Sequence, residues 1–269
     1  METGKLLRIA RILRPRTKRA VIIAVDHGNY AGPIEGLEDP TRAVRAAVDG
    51  GADAVIVNIG TLRKVHAEVA GRVGIILRID GGHTLLHPDK TQNSALTGTV
   101  ELASTAGADA VIVMGYVGSN KETESLATLG QVASDCTQQG LALVAEMLPV
   151  DHLNKPAYTD EYVALAARVG SEIGADIIKT YYTGSTESFS RVVHGSVAPV
   201  VVLGGPKMDS NERVLEVAEA AVKGGGAGVA FGRNVWQSEN PQRMVRALVE
   251  IVHEGKTSSE VYSELMNKP

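Results

Sequence analysis

The sequence predicts an α/β chain closed into a single (β/α)8 barrel, a TIM barrel over residues 1–269 with a docked N-terminal helix. Three observations lead there. Eight short, continuously apolar runs recur along the chain. Helical stretches, opened by capping residues and closed by glycine, stand between several of them. A Gly-Ala-Asp or Gly-Ala-Gly triplet opens every second run, at Gly51, Gly107, Gly174 and Gly226. Such a triplet is a good turn after any helix, yet its place on alternate runs reads as a repeated βαβα unit.

The first segment, "METGKLLRIARILRPRTKR", is basic and has no secretory core. It is Arg-rich and amphipathic like a transit peptide, but it contains no serine. Its Leu6, Leu7, Ile9, Ile12 and Leu13 suit a helix docked on a domain. The runs follow as "AVIIAVDHG" (20–28), "ADAVIVN" (52–58), "VGIILRIDG" (73–81), "ADAVIVMGY" (108–116), "LALVAEML" (141–148), "ADIIKTYY" (175–182), "PVVVLGG" (199–205) and "AGVAFG" (227–232). They are continuous rather than alternating, as expected of parallel strands covered on both faces. Asp39 with Pro40, and Ser210 with Asn211, are helix starts, and both helices close on glycine. The rival fold is an open doubly wound sheet. A dinucleotide-binding sheet of that kind carries G-x-G-x-x-G after its first strand, whereas "DHGNYAGP" stands here and the motif occurs nowhere. No linker divides the chain.

Composition narrows the function classes. Hydrophobic residues make up 44% and charged residues 22%, ordinary values for a globular protein. A net charge of −4 gives no support for nucleic-acid binding. No apolar run reaches the roughly 18 residues of a membrane span, so a cytoplasmic protein without a membrane partner is expected. Cys136 is the single cysteine, so no internal disulfide forms.

In this barrel, chemistry belongs at the carboxyl ends of the strands. Those ends carry Asp26 and His27, Asn58, Arg78 and Asp80, Tyr116, Glu146, Lys179 and Tyr181, Gly204 and Gly205, and Gly232 and Arg233. Each has a plain structural alternative: Asp26 as a turn cap, Arg78 as a partner of Asp80. Together they form a polar ring on an apolar scaffold. Lys179 is the informative member. An amine at the end of an apolar strand is poorly solvated, which favours its neutral form, and a nearby cation such as Arg78 or Lys207 would add to this. A neutral lysine attacks carbonyls and forms Schiff bases. The alternative is a lysine that reaches to the rim or binds an anion as a point charge. The glycine-rich ends of strands seven and eight suit a phosphate, bound by bare backbone N–H groups with Arg233 adding charge, or they are ordinary barrel turns.

No metal or other cofactor is expected. His83 and His87 are four apart, but Gly81, Gly82 and Pro88 oppose a helix there, and His152 and His194 show no ligand spacing. Gly-x-Ser-x-Gly is absent and Cys136 lies in a predicted helix, so a hydrolase triad lacks a nucleophile.

The stretches "VDHGNYAGPIEGLEDP", "GYVGS", "GADIIKTYYTG", "VLGGPK" and "GRNVWQSENP" resemble the DeoC/FbaB/DhnA group of class I, Schiff-base aldolases, especially the archaeal-type fructose-bisphosphate aldolases. That group also includes a thiolase acting on a phosphorylated diketone. The resemblance covers nearly the whole chain. It implies that Lys179 is the Schiff-base lysine, that Asp26 orients substrate, and that Gly204, Gly205, Gly232 and Arg233 meet phosphate. It also implies a homo-oligomer, often a decamer. One departure stands out. The archaeal aldolases carry Trp-x-Tyr-Pro-Arg after strand five, the tyrosine transferring protons. Aligned on Pro149, Glu146 replaces the tryptophan, Leu148 the tyrosine and Val150 the arginine. Leucine moves no proton and valine holds no second phosphate.

Glu146 shares a strand face with Leu148, so it is the expected substitute for that tyrosine. Apolar walls should raise its pKa and let it act near neutrality, although a charged Lys179 would oppose this. Tyr181, Tyr116 and a water on Asp26 are rivals, and a rim salt bridge to Arg78 is the structural alternative. The expected activity is that of an aldehyde-lyase: Lys179 forms an iminium with a phosphorylated ketose, and C–C cleavage releases an aldehyde, with His27, Arg78 and Tyr116 among the binding residues. The alternatives are acyl transfer to coenzyme A and a non-catalytic sugar-phosphate sensor.

Overall fold

Eight parallel strands follow one another around a closed barrel in chain order. The structure, a computed structural model, describes residues 2–87 and 94–267. The strands are β1 (Ala20–Ala24), β2 (Ala54–Val57), β3 (Gly74–Arg78), β4 (Ala110–Gly115), β5 (Ala142–Met147), β6 (Ile177–Thr180), β7 (Val200–Leu203) and β8 (Gly228–Phe231). All eight predicted runs hold a barrel strand, each shorter than its run because the polar end leaves the ladder for a loop. The third run breaks after Arg78. Its Asp80–Gly81 pairs antiparallel with Ala95–Leu96 in a small ribbon over the barrel mouth, and the Asp80 carboxylate accepts the Met114 N–H at 2.8 Å.

Alternation along the strands builds both the core and the site. Ile22, Ile56, Ile76, Ile112, Val144, Ile177 and Val201 are buried together in the barrel interior. Their neighbours, such as Val21, Val55, Leu77, Val111, Leu143, Ile178 and Val202, are buried in the layer beneath the helices. One inward position further up, the apolar filling gives way to Arg78, Met114, Glu146 and Lys179. Helix starts follow the predicted caps. Asp39 accepts the Thr41 N–H before Pro40–Gly50, and Ser210 accepts the Arg213 N–H before Asn211–Lys223.

The Gly-Ala-Asp triplets have a physical purpose at the bottom of the barrel. Asp53, Asp109 and Asp176 each accept a backbone N–H from the preceding strand or its start, those of Val21, Ile75 and Leu143, at 2.7–2.9 Å. Each also takes a cation from the basic N-terminal segment. Arg14 pairs with Asp53, Arg11 with Asp109 at 2.5 Å, and Lys5 with Asp176 at 2.9 Å. His253 adds its Nε2 to Asp53 at 2.8 Å. The fourth triplet ends on Gly228, where a Cβ would lie 1.9 Å from the Ala20 carbonyl oxygen, so no aspartate fits.

The charge of the N-terminal segment is thus spent on a clasp under the barrel. Its helix, Glu2–Ile12, docks through its second half, where Ile9 packs on the barrel core and Ile12 and Leu13 are buried. Leu6 and Leu7, expected in the docked face, are 57% and 59% exposed, because the polar clasp rather than an apolar stripe holds the first turns. Asp53→Ala removes the acceptor of the buried Val21 N–H and the partner of the His253 Nε2, whose Nδ1 stays bonded to Thr17. It is expected to cost about 1–3 kcal/mol, read as a lowered unfolding midpoint with the mouth chemistry unchanged.

Candidate active site

The mouth encloses a cavity of about 460 Å³ above the apolar filling. Register decides which side chains meet there. Glu146 on β5 and Lys179 on β6 are paired neighbours in the parallel ladder. Both point inward, and the Glu146 Oε1 lies 2.7 Å from the Lys179 Nζ. Lys179 is 5% exposed, so it neither snorkels nor sits at the rim.

Arg78 is the hub of the site. Its Nε donates to Asp26 at 2.9 Å, its Nη1 to Asp80 at 3.0 Å, and its Nη2 to the second oxygen of Glu146. Both sequence-level partners of Arg78 are therefore real, but they are buried and joined to Lys179 through Glu146, not a rim pair. Burial alone would raise the Asp26 carboxyl. Arg78, His27 and Lys179 overcome it and hold Asp26 well below the usual carboxylate range. The Asp26 carbonyl accepts from Asn58 at 2.7 Å, which fixes the end of the first strand. His27 Nδ1 lies 3.4 Å from Asp26, a loose contact, and its ring meets Trp236 edge-on at 5.4 Å.

Two expectations change here. The Glu146 carboxyl was expected to titrate high. Burial does push it up, but the Lys179 and Arg78 cations on its two oxygens outweigh this and hold it below the ordinary value. The Lys179 amine, expected beside a cation such as Arg78 or Lys207, faces the Glu146 carboxylate instead. Lys207 is not part of this environment: its Nζ donates to the Gln237 carbonyl at 3.0 Å.

The other side of the mouth is built from the ends of β7 and β8. Gly205 has φ +62, and a Cβ on Gly232 would lie 2.6 Å from the His27 ring. Asn234, missed in the sequence, clamps this loop. It donates to the carbonyls of Gly204 at 2.9 Å and Pro206 at 3.2 Å, and accepts the Met208 N–H at 2.7 Å. Arg233 donates to the Gly205 carbonyl at 3.0 Å, while its buried Nε has no hydrogen-bond partner in the protein.

Tyrosines close the remaining wall. Tyr116 is buried and donates to the Met114 sulfur at 2.9 Å. Tyr181 packs on Tyr158 with ring centroids 4.7 Å apart. Burial pushes the phenols of Tyr116 and Tyr181 up, so both stay protonated. Tyr30 and Tyr158 also line the cavity and were not foreseen. The signal for Tyr30 was present in "DHGNY" at the end of strand one. Tyr158 lies eleven residues beyond β5 in an irregular loop, where no pattern places it.

Among the described residues, no group of three or more His, Cys, Asp or Glu has a geometry that would hold a metal ion. The acidic cluster at the mouth is occupied by Arg78. His83 and His87 stack at 5.4 Å in non-helical chain, and Pro88 lies outside the described residues. Cys136 is buried in the helix Glu122–Gln139, and burial pushes its thiol up to about 12. No helix among the described residues is long and apolar enough to cross a membrane.

A closed parallel barrel with ionisable side chains at its carboxyl end defines a (β/α)8 protein with an enzyme-like mouth. Within that class, the chain belongs to the DeoC/LacD family of aldolases, whose model matches residues 20–238. It is 37% identical to 2-amino-3,7-dideoxy-D-threo-hept-6-ulosonate synthase of Halobacterium salinarum, over 94% of this chain and 93% of that one. It is 32% identical to 3-hydroxy-5-phosphonooxypentane-2,4-dione thiolase of Yersinia pseudotuberculosis, over 100% of this chain and 89% of that one. Among solved structures it resembles an archaeal fructose-1,6-bisphosphate aldolase whose catalytic lysine is covalently bound to the carbinolamine intermediate of its substrate. The TM-score is 0.83 and the identity 33%, over 92% of this chain and 99% of that one.

Proposed function

We propose that this protein is a class I aldolase acting on a phosphorylated ketose through a Schiff base on Lys179. The observation that carries the proposal is the buried Lys179 amine, 2.7 Å from a carboxylate and opening into the mouth between the glycine ends and the tyrosine wall. Glu146 takes a proton from the ammonium, and the freed amine adds to the substrate carbonyl. Glu146 returns that proton to the carbinolamine hydroxyl, which leaves as water, giving an iminium and restoring the carboxylate. A base removes the proton of the β-hydroxyl, the C–C bond breaks, and its electron pair flows into the iminium. The products are an aldehyde and an enamine. Protonation of the enamine and addition of water release the ketone and return Lys179. Asp26, held ionised, orients Arg78 and the substrate hydroxyls.

Incubation with dihydroxyacetone phosphate and borohydride, followed by peptide mass spectrometry, tests the assignment. The expected adduct is on Lys179. An adduct on Lys207, or none, overturns it. The phosphate is assigned to the β7 and β8 ends, where the unpartnered Arg233 Nε supports an anion. A charge-assisted hydrogen bond contributes about 1.5–3 kcal/mol, so Arg233→Ala should weaken phosphorylated ligands by about 10- to 100-fold. Titration calorimetry with a dephosphorylated analogue should show almost no change, and equal losses for both would make Arg233 structural.

A second reading is favoured by the full-length similarity to the thiolase and by Leu148 at the aligned tyrosine position. There the same iminium forms on a phosphorylated diketone, and a thiol accepts the acyl group. Turnover that requires coenzyme A would select this reading over the aldolase.

A further inference from the structure

We infer that the mouth contains a second, uncharged subsite, walled by tyrosines, and that the ketose therefore carries one phosphate and yields an aldehyde fragment without charge. This rests on the proposed placement of the carbonyl at Lys179 and the phosphate at the β7 and β8 ends. Strand order then fixes the direction of the rest of the substrate. Lys179 on β6 has the glycine ends on one side and β5 and β4 on the other. The carbons beyond the carbonyl extend toward β5 and β4, over Leu148, Pro156, Tyr116, Tyr158 and Tyr181.

That side offers no free cation among the described lining residues. Arg78 directs its three nitrogens at three different carboxylates, and Lys179 is paired with one of these. Asp26, Asp80 and Glu146 together exceed Arg78 and Lys179 by one negative charge. A second phosphate there would lose its water, meet an excess of carboxylate and gain only neutral phenols, which is an unfavourable exchange. An uncharged carbon chain instead lays its C–H faces on tyrosine rings and gives its hydroxyls to phenolic oxygens. Arg233, at the opposite side, is the one Lys or Arg among the described lining residues that lies outside the carboxylate network.

The test uses hexitol 1-phosphate and hexitol 1,6-bisphosphate, measured by titration calorimetry on the full chain. Neither has a carbonyl, so binding does not depend on Lys179 chemistry and is separable from the borohydride result. The bisphosphate should bind no more than about two-fold tighter, the statistical gain of two equivalent ends. Tyr158 is half exposed, so a longer charged side chain has room there. Tyr158→Arg should therefore supply the missing cation and tighten the bisphosphate alone by about ten-fold or more. A bisphosphate preference above about five-fold in the unaltered protein overturns the inference, as does a Tyr158→Arg variant without selective gain. Binding of neither ligand, with the Lys179 adduct still forming, removes the phosphate assignment and the inference together.

Discussion

Lys179→Met should lose turnover by about 10⁵–10⁶-fold, the scale on which removal of a covalent nucleophile is felt, and lose the borohydride adduct with it. Methionine keeps the length and the apolar stem, so β6 remains packed. Loss of the ammonium leaves Glu146 paired only with Arg78, which still satisfies one of its oxygens. The folded state should therefore survive, with an unfolding midpoint close to that of the parent. Lys179→Arg is the sharper control. Arginine preserves the charge facing Glu146, cannot be deprotonated here, and forms no imine. If Lys179→Arg retains more than about one part in a hundred of the parent rate, the lysine acts as a point charge, and covalent catalysis is wrong.

How far the amino-acid sequence carries this molecule depends on whether a pattern is local. The eight strands are local: each apolar run needs only to be dry on both faces, and each lies where its run predicts. Lys179 and Glu146 were legible for the same reason, as polar residues at the ends of apolar runs. Their pairing was open only as an alternative, because it depends on the register of β5 against β6, which no single run contains. The error on the Glu146 carboxyl follows directly. Apolar walls were visible in the sequence, but the two cations on its oxygens come from β3 and β6. Leu6 and Leu7 misled similarly. Their spacing suits a docked face, whereas Lys5, Arg11 and Arg14 find aspartates at residues 176, 109 and 53, separations no periodicity records. Asn234 and Tyr158 were missed because a clamp and a loop-borne wall acquire meaning only from the glycine turn and the cavity they face.

The structure makes Glu146 the proposed base of the reaction, which sharpens its test. A carboxylate held below its ordinary pKa is ionised through the neutral range and accepts protons; a carboxyl raised toward neutrality would donate them. Glu146 is in the first condition, with one oxygen against Lys179 and the other against Arg78. It is placed to take the ammonium proton before attack and the β-hydroxyl proton during cleavage. Tyr181, whose burial keeps its phenol protonated, is suited to the opposite task of returning a proton to the enamine. Glu146→Gln preserves shape and removes the proton acceptor. Turnover should fall about 10²- to 10⁴-fold, while the Lys179 adduct still accumulates, more slowly, from the fraction of free amine. The pH profile separates this from simple loss of packing. With Glu146 ionised above its lowered pKa, the parent rate should show no limb from this group between about pH 5 and pH 7. The limb should appear only as the pH falls below that range and the carboxylate takes up a proton. A parent rate that instead declines as pH rises through neutrality, and loses that decline in Glu146→Gln, would make Glu146 a proton donor. Normal turnover in Glu146→Gln, together with a collapse in Tyr181→Phe, would transfer the proton chemistry to Tyr181 and leave Glu146 as the side chain that holds Lys179 and Arg78 in place.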